Sequence, residues 1–401
     1  MHFIYNLLLT IPHLLLAQNI ITLDYLELGS GYYLSTHINI TPQFDNYILI
    51  NLKDSRTLAM VNDYQRDDPH YQPDDMTIVV NKETYEGFYE VDLFSINNTP
   101  IQMYLPIYYI KTQTLQPNKK YIQSFVGFGN DVNQQSLHSF LHTLYTKHYI
   151  SYKSFAFNVM GYQMSKMFIG GIPDDVKYKY KYKTEINVNT NHPHSSNWYV
   201  NLNEVKITVG NIHTNNNNNN NIQIGSFKAN EYLTSVHVSD KKIIIPRAFM
   251  TMLNETVFDK FYKKGVCSYR KNLFEYVTCE LDEMDEVLCI EFCIDDNVFK
   301  MCGDSLFEEV ERRSSYGMSY FQVNEEGDKF EIGTGLIDYY LTEFDMEKQK
   351  IRMFSMAKFN GKYYRNRDVS VVIKIYLGLY AIVGLWSGIL VYLKVMKSNK
   401  M

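Results

Sequence analysis

Basic residues are not in excess in this chain. Its 39 Lys and Arg stand against 44 Asp and Glu, a formal net charge of -5, so the electrostatic footprint that nucleic-acid binding leaves is missing. Metal patterns are missing too: the five cysteines include no C-x-x-C pair and no clustered histidines accompany them, which excludes the common zinc arrangements. No G-x-S-x-G elbow, H-E-x-x-H helix or glycine-rich phosphate loop occurs. Serine and metal hydrolysis therefore have no motif to rest on, and no cofactor is expected. Cysteine is absent until Cys267, and all five (Cys267, Cys279, Cys289, Cys293 and Cys302) fall within 36 residues.

What is present favours β structure. The 401 residues are 45% hydrophobic and 15% aromatic, led by 34 Tyr, enough for a sizeable core and a composition that suits strands. Residues Phe3 to Ala17 form an apolar run too short to span a membrane and ending in a small residue, the pattern of a signal peptide over 1–17. Ile375 to Leu393 carries 19 residues without charge, about 28 Å as a helix, which matches a hydrocarbon core. A single transmembrane helix is expected over 371–393. Lys394, Lys397 and Lys400 follow it and orient 394–401 as a cytoplasmic tail, leaving the body lumenal or extracellular in a type I arrangement on the cell surface or in the secretory pathway.

In an oxidising compartment the cysteines should pair locally. The first expectation is a hairpin bridge from Cys293 to Cys302 across Asp295-Asp296-Asn297, the second is Cys267 to Cys279, and the odd count leaves one thiol over. Asn39, Asn97 and Asn254 head N-x-T sequons and are candidate glycosylation sites.

Short alternating runs such as MTIVVNK, GFYEVDLFSI and WYVNLNEVKITVG predict strands through the body. Helices are predicted only at Leu137–Lys147, Arg247–Lys264 and around Gly335–Tyr340. Asn215 to Asn221 is a seven-asparagine run with nothing to bury, hence an exposed loop. The Tyr/Lys alternation ending at Lys183 reads as solvated surface rather than a polyanion site.

From Gly31 the segment GYYLSTHINITPQFDNYILINLKDSRTLAMV resembles the opening of a pepsin-like (family A1) aspartic peptidase. SFVGFGN (Ser124–Asn130), FIGGIPDD (Phe168–Asp175), NWYVNLNEVKITVGN (Asn197–Asn211) and EIGTGLIDYYLTEFD (Glu331–Asp345) resemble later elements of that family in the same order. The resemblance implies a mostly β, bilobal fold: a first lobe over 32–190 and a second over 197–357, two β-barrel-like halves related by a pseudo-twofold axis, with a cleft between them.

It also implies what is lost. The family needs two carboxylates that share one proton across the cleft. Counting back from Leu58-Ala59-Met60 puts the first at Leu52, and anchoring on Pro246 puts the second at His237. Asp54 and Asp240 are the nearest carboxylates. The flap tyrosine position falls on Val80, and Tyr85 reads as an exposed strand residue. The expectation is a non-catalytic, membrane-anchored member that binds peptides or proteins in its interlobe cleft. The alternatives are an active aspartic endopeptidase with a non-standard dyad and a structural surface glycoprotein, so enzyme activity is left open.

Overall fold

A computed structural model describes residues 19–28, 31–34, 38–40, 48–61, 76–80, 83–96, 102–111, 124–130, 139–158, 165–192, 195–211, 222–238, 242–271, 275–284, 286–309, 316–323, 328–337 and 340–355. The expected signal peptide, transmembrane helix, cytoplasmic tail and poly-Asn loop, together with Asn97 and Asp240, lie outside these residues. Among the described residues no helix is long and apolar enough to cross a membrane.

The protein is mostly β and bilobal. Among the described residues its largest sheet has fourteen strands, and the first six form a platform drawn from the beginning, middle and later part of the chain. In spatial order they are Tyr182–Asn187, Lys350–Ser355, Leu341–Asp345, Ser154–Asn158, Ser165–Ile169 and Ile21–Leu28. Ile21, Leu23 and Tyr25 are buried while Thr22 is exposed and Asp24 half-buried, the period-two pattern of a strand with one covered face. The sheet continues through Gly31–Leu34 and Ile48–Asn51 into the first lobe and ends beyond the long hairpin Glu83–Ile96/Gln102–Lys111.

The second lobe is built from three smaller sheets of five, four and four strands. Strands 341–345 and 350–355 of the second stretch pair with 154–158 and 182–187 of the first, so the platform crosses the expected boundary. The predicted helices appear as Phe140–Thr146, a continuous run from Arg247 to Lys264 with a π-helical turn at Asn254–Phe258, and Thr334–Ile337. Ser139 caps the first, its side chain accepting from the His142 N–H, which satisfies one of the orphan donors of a helix start. The Tyr/Lys run divides between the end of a short helix at Asp174–Lys177 and the platform's edge strand. Tyr178 is fully solvated there, while the Tyr180 hydroxyl donates to Asn158 Oδ1 at 2.8 Å.

Cys267 bridges Cys279 as expected, but the second bridge joins Cys289, not Cys293, to Cys302. Strand register explains the correction. The hairpin turns at Asp295-Asp296 and pairs Ile294 with Asn297, which sets Cys289 opposite Cys302 and Cys293 opposite Val298. A bridge between antiparallel neighbours needs directly opposed Cα atoms, here 4.1 Å apart, and Cys293 is four residues out of step. Peptide mapping without reduction should recover 267–279 and 289–302 and find Cys293 alkylatable. Cys293→Ser should leave both bridges intact, and a 293–302 peptide would refute this register. Two disulfides point to an extracellular or secretory-pathway protein.

Candidate functional site

Two strand–loop–strand units of the same design meet at the lobe junction. In the first, Ile48–Asn51 and Thr57–Val61 flank Phe125–Gly127, parallel on one side and antiparallel on the other. In the second, Leu233–Val236 and Ile243–Ile244 flank Lys329–Ile332 in the same way. The parallel registers let the residues of the two units be matched one to one. Asn51 pairs with Gly127. Val236 pairs with Ile332, and the His237 N–H donates to the Ile332 carbonyl at 3.0 Å, carrying the ladder one step further so that His237 stands opposite Gly333. Gly127 has no room for a side chain, because a Cβ there would lie 2.3 Å from the Arg56 carbonyl oxygen.

The internal equivalence therefore pairs His237 with Asn51 rather than with Leu52. A one-residue step turns a strand side chain to the opposite face, and Leu52 is fully buried. Asn51 ends its strand with Oδ1 accepting the Lys53 N–H at 2.8 Å. The count back from Leu58 reaches Leu52, whereas the strand register matches His237 with Asn51, one residue earlier.

Neither position carries a carboxylate, and the charges around them differ from a shared-proton pair. Lys53 Nζ, from the first lobe, reaches Glu331 Oε2 of the second at 2.6 Å. Lys329 Nζ binds the other oxygen, Oε1, at 2.7 Å. His237 Nε2 lies 3.6 Å from Glu331 Oε2. Burial opposes the ionisation of Glu331, but the ammonium of Lys53, aided by His237 and Lys329, outweighs it and holds the carboxyl at about 2. Burial and then Lys53 push His237 down to about 3, against the pull of Glu331. Among the described residues, Glu331 thus joins two ammonium groups beside an imidazole that is neutral at neutral pH.

Asp54 is engaged within its own loop. Both its oxygens face the Arg56 guanidinium, which donates to them at 2.6–3.2 Å, and Oδ1 also accepts the Arg56 N–H. That carboxylate raises Arg56 above its ordinary value, with burial opposing. Arg56 in turn donates to the Val79 carbonyl at 2.8 Å and lies over the Tyr108 ring, tying the loop to the flap-like hairpin Met76–Val80/Glu83–Ile96. Val80 closes the first strand of that hairpin. Tyr85 is buried, not exposed, packing with Leu58, Ile78, Ile110 and Phe125, because it sits opposite Ile78 on the covered face.

Of the sequons, Asn39 lies on the strand Ile38–Ile40. Asn254 sits within the long helical run, its Oδ1 accepting the Tyr262 hydroxyl at 2.7 Å. Among the described residues no group of three or more His, Cys, Asp or Glu could hold a metal ion.

The paired units and the shared platform define a pepsin-like fold. No protein-family model and no curated protein matches the sequence. Among solved structures the chain is similar to basic 7S globulin from soybean, at a TM-score of 0.62 and 11% sequence identity, over 85% of this chain and 96% of that one. At that identity the likeness concerns the fold.

Proposed function

We propose that this protein is a non-catalytic member of the pepsin-like fold that binds peptides or proteins between its lobes, held on a secretory-pathway or cell-surface membrane by a span over 371–393. One observation carries the reading: the two equivalent loop ends bear Asn51 and His237, bridged by the Lys53–Glu331 ion pair. Peptide hydrolysis by this fold needs one carboxylate to take a proton from water and a second to give one to the scissile carbonyl. An amide cannot ionise, and an imidazole that stays neutral down to about 3 while its acidic neighbour is spent on two lysines does not replace that pair. Cofactors, metals and nucleic acid have no part in this reading.

The test is cleavage of a denatured protein substrate by the full-length chain in mild detergent, scanned from acid to neutral pH with and without pepstatin. No cleavage is expected at any pH. Pepstatin-sensitive cleavage that disappears in Asp54→Ala would establish an aspartic endopeptidase instead. A folded protein that neither cleaves nor binds peptide would leave a structural surface glycoprotein.

A further inference from the structure

The Tyr/Lys run sits where the described body ends. Its edge strand pairs antiparallel with Lys350–Ser355, with Tyr182 opposite Ser355, and the Lys181 N–H donates to the Ser355 carbonyl at 3.1 Å. Ser355 is the last described residue before the span proposed over 371–393. A chain as long as residues 356–370 reaches at most about 55 Å when fully stretched and averages roughly 20 Å as a coil, so the run is fixed to the point of the body from which such a tether departs. Packing decides which of its side chains face outward. Val176 and Tyr180 lie against the core formed by Ala156, Phe168, Ile172, Leu341 and Phe354, and the Tyr180 hydroxyl is held by Asn158. With those two turned inward, Tyr178, Lys179 and Lys181 are left exposed. Tyr178 is 86% exposed, the most exposed large hydrophobic side chain among the described residues. Its N–H donates to the Asp174 carbonyl at 3.0 Å, so an ordered turn presents the ring.

Net charge does not single this surface out. Lys183 is taken by Glu185 at 2.7 Å, and Asp174 and Asp175 stand exposed at the start of the short helix. What does is an outward aromatic set among lysines. Tyrosine suits the boundary of a bilayer, where its apolar ring and polar tip sit at headgroup level. A lysine stem lies along apolar surface while its ammonium reaches water or phosphate. One exposed tyrosine would select nothing by itself; here it coincides with the departure of the chain towards its span. We propose that the segment Lys177–Lys183 is a membrane-contact surface, resting on the headgroups of the bilayer that the chain's own span enters. The inference rests on the membrane-anchored reading above and adds which face of the body meets the lipid.

The experiment places the full-length chain in phosphatidylcholine nanodiscs that carry a trace of lipid with a photoreactive headgroup, and maps the lipid adducts by peptide mass spectrometry after illumination. Adducts on the body should concentrate on residues 177–183. Their yield there should exceed by at least about tenfold, a modest preference on the free-energy scale, the yield on the helix Asp259–Lys264, whose Lys263 is 74% exposed. The triple variant Tyr178→Ser, Lys179→Gln, Lys181→Gln changes only exposed side chains, and it should lower the yield at this segment to the level of that helix while thermal unfolding and incorporation into nanodiscs stay as in the wild type. The wild-type protein decides the matter without the variant. Co-purification with nanodiscs, with adducts on the body spread evenly or confined to other surfaces, overturns the contact surface and leaves the span standing. A chain that does not incorporate overturns the membrane-anchored reading, and this inference with it.

Discussion

Taking the protein from pH 7 to pH 4 is expected to destabilise it by about 3 kcal/mol through His237 alone. Burial and Lys53 hold its folded-state value at about 3, against an ordinary 6.5. The folded pKa is thus depressed, so below 6.5 the unfolded chain takes up a proton that the folded chain refuses until about 3. Stability is complete above 6.5 and falls through that window. Glu331 acts in the same direction over a lower range. With a folded value near 2 against 4.5, its ionised form contributes stability above 4.5 that is lost as the pH falls towards 2, about 1 kcal/mol of it by pH 4. Urea unfolding at pH 7, 5.5 and 4 reads the slope directly. His237→Gln should flatten it between 6.5 and 4.5 whatever its own cost at neutral pH. An unfolding midpoint as high at pH 4 as at pH 7 would contradict the buried, neutral histidine. The expected behaviour is opposite to what acid catalysis by two carboxylates would require of its scaffold.

Trp198→Ala is expected to cost about 4–5 kcal/mol, near the top of the range for core aromatics. The indole is fully buried and meets Phe155 and Phe344 edge-on at 5.9 and 5.1 Å between ring centroids. These two stack on each other at 5.0 Å, and Phe128 joins Phe155 at 5.0 Å. The indole N–H donates to the Phe128 carbonyl at 3.0 Å, so truncation also strands a buried acceptor. Because Phe128 belongs to the first lobe and Trp198 opens the second, the loss falls on the contact between them. Trp198→Phe should cost about 1–2 kcal/mol, since most of the ring remains and chiefly the donor goes. Thermal unfolding followed by near-UV dichroism separates the two variants. Equal, small losses for both would mean that the aromatic cluster does not join the lobes. Against the 5–15 kcal/mol that typically hold a folded protein together, the alanine variant should be poorly populated.

Much of this architecture was legible in the sequence because its signals are local. The helix at Arg247–Lys264 starts after Pro246 and ends at Gly265, whose φ of +77° suits a left-handed cap. The turn after Ile169 needs Gly170 and Gly171 at positive φ, and both are written in FIGGIPDD. What escaped depends on register between distant segments. Asn51 against Leu52, and Cys289 against Cys293, are each decided by which residue of a partner strand stands opposite, and spacing alone does not carry that. Ile21 to Tyr25 alternates cleanly in burial but lies just after the apolar leader-like run, and the family resemblance starts only at Gly31. The ion pair between Lys53 and Glu331 joins residues 278 positions apart. Only the fold brings them together, so the missing carboxylates were readable in the sequence while the ion pair between the two loop ends was not.

The strand Lys350–Ser355 has neighbours on both sides, Tyr182–Asn187 and Leu341–Asp345. Tension applied to the chain beyond Ser355 therefore enters the body through an interior strand of the platform rather than a free edge. To peel it away, two ladders of backbone hydrogen bonds must fail together, and the buried Arg352 must leave Glu343 and Asp345 on the adjoining strand. A tether fastened at that point would load the platform that both lobes share before it strained either lobe alone.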